Sequence, residues 1–374
     1  MKTLRINRTR LFFALGVLLV LLVLLFVLLR AAFRGGCGSG GEAKPTQEPI
    51  LTPAPTLLDL YAEFDWTETT EISVYDHRAD RLITMNLEEY IVGVVSAEMP
   101  VRYEIEALKA QAVASRSYTL HSMAHGGCRS HEGADVCTNS SCCQAFSTHA
   151  RMQERWGNDY VENYNRIAQA VMDTAGEVLT YNGKLCDTMY HAASGGHTED
   201  SENVYANAIP YLRGVDSPYE DPDRKDDVTI GLSELVALIA EKVPESGINE
   251  DNVKESIEIR STFESGRVET LRLGKTEITG KKARSLFGLK SAMFTFEWSE
   301  DGIVFHTRGY GHGVGLSQNG ANGMAKHGAT YDEILHHYYT GVVLTVYGAD
   351  GVPTVSDDAD LDQSDDESPF VPEG

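Results

Sequence analysis

Positive charge is what this chain has least of. Its 374 residues carry 32 Lys and Arg against 55 Asp and Glu, a formal net charge of −23. Neutralising nucleic-acid phosphate needs clustered cations, so no nucleic-acid partner is expected. Nucleotide and serine-hydrolase motifs are missing too. Gly309-Tyr-Gly-His-Gly-Val-Gly315 alternates glycine with other residues, but after Gly311 and Gly313 the third glycine of a dinucleotide fingerprint falls on Leu316. Gly315-Leu-Ser-Gln-Asn319 ends in Asn where a nucleophile elbow needs Gly. No His-Glu-x-x-His is present, which removes that metal-activated-water signature, and no internal repeat is visible. Cysteine is sparse and uneven: of six, Cys37 and Cys186 are isolated and four sit at 128, 137, 142 and 143. That clustering favours a local metal site or bridge over a disulfide-dense scaffold.

What is present is strongly segregated. Residues 1–10 are basic, and Leu11 to Leu29 carry no charge and are nearly all Leu, Val, Phe or Ala. Such a run can cross a bilayer as one helix, and Lys2, Arg5, Arg8 and Arg10 ahead of it predict a cytoplasmic N-terminus. The expectation is an uncleaved single-pass anchor in the cell membrane, with the rest of the chain extracytoplasmic; a cleaved signal peptide is the alternative. Residues 30–56 become Gly- then Pro-rich, a flexible linker. Residues 349–374 are acidic, contain no Lys or Arg, and are expected to be disordered.

The globular body is expected at 57–348. It opens with a hairpin, Glu71–Tyr75 and Arg81–Met85, followed by a helix from Leu87 capped by Asn86. A second helix is expected from Glu104 to Ala124, with Ile105, Leu108, Ala112, Thr119 and Met123 forming one apolar stripe. A polar cysteine loop at 125–148 and a helix at Tyr160–Thr174 follow. Then come a hairpin turning at Asn182-Gly183, with its second strand at Lys184–Tyr190, and a smaller inserted subdomain at 231–300. Strand Ile303–Thr307 and helix Tyr331–Tyr339 complete the body. Helices interspersed with hairpins predict an α+β fold, a mixed sheet with packed helices.

Three places could carry chemistry. Glu98 lies at the end of an apolar helix, where the helix dipole and neighbours such as Val94 and Val95 disfavour its charge. Both effects raise a carboxyl pKa, as a general acid requires; an exposed helix-end glutamate is the alternative. His191-Ala-Ala-Ser-Gly-Gly-His197 follows a strand, and its small residues would let a ligand approach the backbone. In the cysteine loop, His131, Cys137 and Cys143 are six residues apart with Cys142 adjacent. These could hold a structural zinc, or a disulfide such as Cys128 to Cys142 could form instead.

Leu87-Glu-Glu-Tyr-Ile-Val-Gly-Val-Val-Ser-Ala-Glu-Met-Pro100 and Glu106-Ala-Leu-Lys-Ala-Gln-Ala-Val-Ala-Ser-Arg-Ser-Tyr118 resemble the opening motif of the family of stage II sporulation protein D and LytB-type amidase enhancers. Tyr190-His-Ala-Ala-Ser-Gly-Gly196, Arg308–Gln318, Gly320–Lys326 and Ile334–Gly341 are similar to its later motifs, in the same order. The resemblance implies a lytic transglycosylase that cuts peptidoglycan glycan strands during forespore engulfment, with Glu98 as acid and base. It implies glycan already stripped of peptides by an amidase, stage II sporulation protein P, and a complex that includes stage II sporulation protein M. It also implies zinc on His131, Cys137 and Cys143, with Cys142 standing where the family has a second histidine. Arg116, Tyr118, Tyr190, Ser194 and Gln318 are the expected sugar contacts, with Gly195, Gly196 and His312 shaping the groove. The enhancer branch implies a second possibility, a non-catalytic glycan binder that stimulates an amidase.

Overall fold

The computed structural model describes residues 70–220 and 225–348. The anchor expected at 11–29, the linker at 30–56 and the acidic tail at 349–374 lie outside the described residues. Among those described, no helix is long and apolar enough to cross a membrane.

The chain opens with strands β1 (Glu71–Asp76) and β2 (Arg81–Asn86), paired antiparallel. Helix α1 (Leu87–Glu98) starts at once, because the Asn86 side chain accepts from the Glu88 and Glu89 N–H groups. Such a cap contributes about 1 kcal/mol. Next come α2 (Ile105–Ala124), the short strand β3 (Val136–Cys137), α3 (His149–Trp156) and α4 (Tyr160–Met172). Strands β4 (Glu177–Tyr181), β5 (Lys184–Leu185) and β6 (Tyr190–His191) follow, then β7 (Lys225–Gly231) and α5 (Leu232–Lys242). Strands β8 (Ile257–Thr262), β9 (Val268–Leu273) and β10 (Thr276–Thr279) precede α6 (Gly280–Leu286). The last elements are β11 (Phe294–Trp298), β12 (Gly302–Arg308), β13 (Leu316–Ser317), α7 (Gln318–Lys326), α8 (Tyr331–Tyr338) and β14 (Val343–Val346).

The fold is α+β, but one mixed sheet is not its centre. The strands form small sheets of two or three, ordered β2-β1-β3, β14-β4-β5, β13-β6, β11-β12-β7 and β10-β9-β8. The centre is α2, which touches α1, α4, α7, α8 and β4. It is buried on every side rather than along one stripe: Ala107, Ala110, Ala112, Ala114, Ser115 and Ser117 all lack solvent contact. Small side chains let neighbouring elements approach closely, and a helix covered all round loses its amphipathic signature. Ile105 and Met123, placed on the expected stripe, are only half-buried.

A second core, from Ile230 to Phe305, forms between the sheets of β7–β12 and helices α5 and α6. Its residues fall in and around the stretch 231–300, and strands β7 and β12, paired along their whole length, flank that stretch.

The turn at Asn182 and Gly183 has positive φ at both residues, as a primed hairpin turn demands. Its second strand is nevertheless cut short at Leu185. Thr188 Oγ1 donates to the Ala114 carbonyl of α2 and the Asp187 N–H donates to the Tyr211 hydroxyl, which pulls the chain off the hairpin. Tyr190–His191 then pairs in parallel with Leu316–Ser317.

Candidate active site around Glu98

Glu98 is the last residue of α1, where the helix presents carbonyls rather than N–H groups, and the last turn holds no basic residue. Its hydrogen bonds therefore come from distant parts of the chain. The Ala145 N–H donates to Oε1 at 2.9 Å, and Gln318 Nε2 donates to Oε2 at 3.1 Å. Burial raises the carboxyl pKa above its ordinary value, and the two donated bonds oppose that rise without cancelling it. The residue as a whole is only half-buried, so solvent and ligand can reach it.

The Ala145 donor is fixed by its neighbours. Gln144 donates to Thr119 Oγ1 at 3.0 Å and accepts from the Tyr190 hydroxyl at 2.7 Å. The Phe146 ring stacks on Tyr90 at 5.5 Å, and the Ser147 N–H donates to the Gly93 carbonyl at 3.0 Å. Gly93 is required for this, since a Cβ there would sit 2.1 Å from the Phe146 ring. A loop thus lies along the second half of α1 and aims one N–H at Glu98.

Two residues upstream of Ala145 stands a cluster of four cysteines. The Sγ atoms of Cys128, Cys137, Cys142 and Cys143 all lie within 4.8 Å of one another, and every one is a free thiol. Cys128 is 3.5 Å from Cys142 and 3.7 Å from Cys143. Tetrahedral zinc with Zn–S bonds of about 2.3 Å requires S···S edges of roughly 3.8 Å, so this donor set fits that ion. The fourth corner is Cys128 and not His131. The His131 ring instead stacks on Tyr75 at 3.7 Å, outside the cluster.

The Gln318 donor is set by two segments lying side by side. Strand β6 runs parallel to β13, and Ala193 and Tyr310 exchange backbone hydrogen bonds of 3.1 and 2.7 Å. His312 Nε2 donates to the Tyr190 carbonyl at 3.0 Å while Nδ1 accepts from the Val314 N–H at 3.1 Å. Burial holds that imidazole pKa well below its usual value, which matches the neutral tautomer these bonds define. Gln318 opens α7, so its place on that helix puts its amide between Glu98 and Gln111 Oε1.

Several expected sugar contacts are supports instead. Arg116 is fully buried and forked onto Glu88, with bonds of 2.7 and 2.6 Å, and it also donates to the Glu177 and Val171 carbonyls. It cannot face a groove. Ser194 is also fully buried and donates to Glu220, and Gln318 is 4% exposed. Tyr118 and Tyr190 are half-buried. Burial, then the charge of nearby Glu98, raises the Tyr190 phenol pKa well above its usual value. Gly195 and Gly196 line a cavity of about 960 Å³ together with His197, Arg308 and strands of the second core. Glu98 is not among its lining residues.

The sequence put His131 rather than Cys128 in the ligand set, and gave no sign of Gln144 and Ala145 as the loop that meets Glu98 or of Glu220 beneath Ser194. Only Cys128 carried a signal, as one of four crowded cysteines.

Comparison with known proteins follows the same residues. The family model "SpoIID: Stage II sporulation protein" matches residues 75–181, which include Glu98 and the cysteine cluster. Stage II sporulation protein D of Bacillus amyloliquefaciens is 34% identical over 88% of this chain and 94% of its own length. The Bacillus subtilis protein of the same name is 31% identical with the same coverage. The chain belongs to the stage II sporulation protein D family. The amidase enhancer of Bacillus subtilis is a more distant relative of this family member, 27% identical over 68% of the chain and 40% of its own length.

Proposed function

We propose that this protein is a peptidoglycan lytic transglycosylase that processes the cell wall in sporulation, cutting peptide-stripped glycan during forespore engulfment. The observation that carries the reading is Glu98: a half-buried carboxyl with no cation beside it among the described residues, a raised pKa and two directed donors. Protonated, it gives its proton to the oxygen between N-acetylmuramic acid and N-acetylglucosamine as that bond breaks. The resulting carboxylate takes a proton from the sugar's own 6-hydroxyl, which attacks the anomeric carbon and closes a 1,6-anhydro ring. The nucleophile is part of the substrate, so one carboxyl serves both steps and no water need be activated. Tyr118 and Tyr190, both half-buried, would take a sugar face.

Zinc, held by Cys128, Cys137, Cys142 and Cys143, would be a structural crosslink with no open coordination position. Its role would be to fix the loop that ends in Gln144 and Ala145. The proposed setting is the cell membrane, through the apolar segment 11–29, with stage II sporulation proteins P and M as partners. The former would supply stripped glycan.

A second reading has the amidase-enhancer similarity in its favour: the domain binds glycan and stimulates an amidase without cutting. Mass spectrometry of products from the purified protein on stripped glycan separates the two. Anhydro-muramyl ends support the transglycosylase. Reducing ends mean hydrolysis. No cleavage, with faster peptide release when an amidase is added, supports the enhancer.

A further inference from the structure

Resting on the glycan-cutting reading, we infer that Glu220 is a positioning residue for Glu98, acting through Ser317 and Gln318. Glu220 is 9% exposed and surrounded by donors. Its Oε1 accepts from the Ser194 N–H at 2.8 Å, the Ser194 hydroxyl at 2.7 Å and the Ser217 hydroxyl at 3.0 Å, and also from the Ser317 hydroxyl. Its Oε2 accepts from the Gly195 N–H at 2.8 Å. A buried carboxylate is held by such convergent donors and in turn fixes the groups that supply them.

Two of those donors control geometry elsewhere. The Ser317 hydroxyl, turned toward Glu220, also accepts from the Gly320 N–H at 3.2 Å and so caps α7. The cap residue directly precedes Gln318, whose amide reaches Glu98. The Ser194 hydroxyl likewise accepts from the Gly196 N–H at 3.1 Å, which closes the 194–196 turn. On the far side of that turn Arg267, contributed by the second core, donates to the Ser194 carbonyl at 2.7 Å and the His197 carbonyl at 2.9 Å. The turn is clamped between an anion on its N–H side and a cation on its carbonyl side. Glu220 is the point at which that clamp and the start of α7 meet.

The test reads Glu98 itself. In the full-length protein with 13C-labelled glutamate side chains, the Glu98 signal is identified by its loss in Glu98→Gln and titrated by NMR. The groups facing Glu98 are the Gln318 amide, the Ala145 N–H and the Tyr90 and Tyr190 phenols. Gln318→Ala removes a donor to the charged form and should move the Glu98 midpoint upward. Glu220→Gln turns an amide donor against the Gly195 N–H and weakens the remaining bonds; it should move the midpoint in the same direction. Ser317→Ala deletes one hydroxyl, leaves the other Glu220 donors in place, and should do so as well. A midpoint unchanged from wild type in both Glu220→Gln and Ser317→Ala overturns the inference. So does a downward shift, the mark of simply removing a negative charge. The titration needs no substrate, so a wild-type protein that cuts no glycan would defeat the proposed function while leaving this result intact.

Discussion

Helix α1 carries a glutamate at each end, Glu88 fully buried and Glu98 half-buried, and the two are held differently. At the N-terminal end Glu88 lies fully inside, forked onto Arg116, and also accepts the Gly176 N–H at 3.1 Å. At the C-terminal end Glu98 has, among the described residues, only neutral donors, an amide side chain and a backbone N–H. A buried carboxylate forked onto a cation of its own holds elements together. One with neutral donors alone has its pKa raised by burial, the direction that acid–base chemistry needs. The same helix thus supplies an anchor at one end and the proposed reactive group at the other.

The largest expected effect comes from the reactive end. Glu98→Gln should lower glycan cleavage by on the order of 10²–10⁴-fold, with folding retained by circular dichroism. Cleavage near the wild-type rate would erase the distinction between the two ends. At the anchored end, Arg116→Ala strands a buried charge and should destabilise the fold by about 3–5 kcal/mol in urea denaturation. The protein that remains folded should still cut glycan. A wild-type denaturation midpoint would show that the pair anchors nothing.

The loop that serves the reactive end offers a third comparison. Elemental analysis should find zinc lost from Cys128→Ser and kept at wild-type stoichiometry in His131→Ala. The reverse result would restore the histidine ligand.

The smallest effect is on stability against pH. The Glu98 pKa is raised in the folded state, so the native protein holds a proton that the unfolded chain releases. Relative to Glu98→Gln, the wild type is at full stability below the unfolded carboxyl pKa of about 4.5. It loses ground as pH rises through the folded value. Thermal melts of both proteins from pH 4 to pH 8 should therefore diverge upward in pH, with the variant the more stable at neutrality. Parallel curves would mean that Glu98 is not a reluctant acid.

Much of this was legible in the sequence, and the omissions have physical causes. Asn86 as a cap, the Asn182-Gly183 turn and the helix ending at Glu98 follow from local chemistry, and each stands where the pattern predicted. Helix α7 was not foreseen, because Gly320 and Gly323 argue against a helix. Gly320 is there because a Cβ would lie 1.9 Å from the Tyr338 hydroxyl and 2.2 Å from Ser217 Oγ, a requirement of packing that propensity cannot express. Arg116 read as a sugar contact because a cation in a motif invites that role. Its partner Glu88 sits 28 positions away, on a different helix. His131 had better spacing than Cys128, yet ring stacking on Tyr75 takes it out of the cluster. Glu220 gave no signal at all, since a buried hub and a solvated glutamate are the same letter.

A crystal structure of Glu98→Gln soaked with a peptide-stripped glycan fragment tests the central claim most directly. The account predicts the side chain of residue 98 within about 2.6–3.2 Å of a glycosidic oxygen, with the adjoining sugar's 6-hydroxyl on the same side. A glycan bound elsewhere, with no glycosidic oxygen within reach of residue 98, would contradict it.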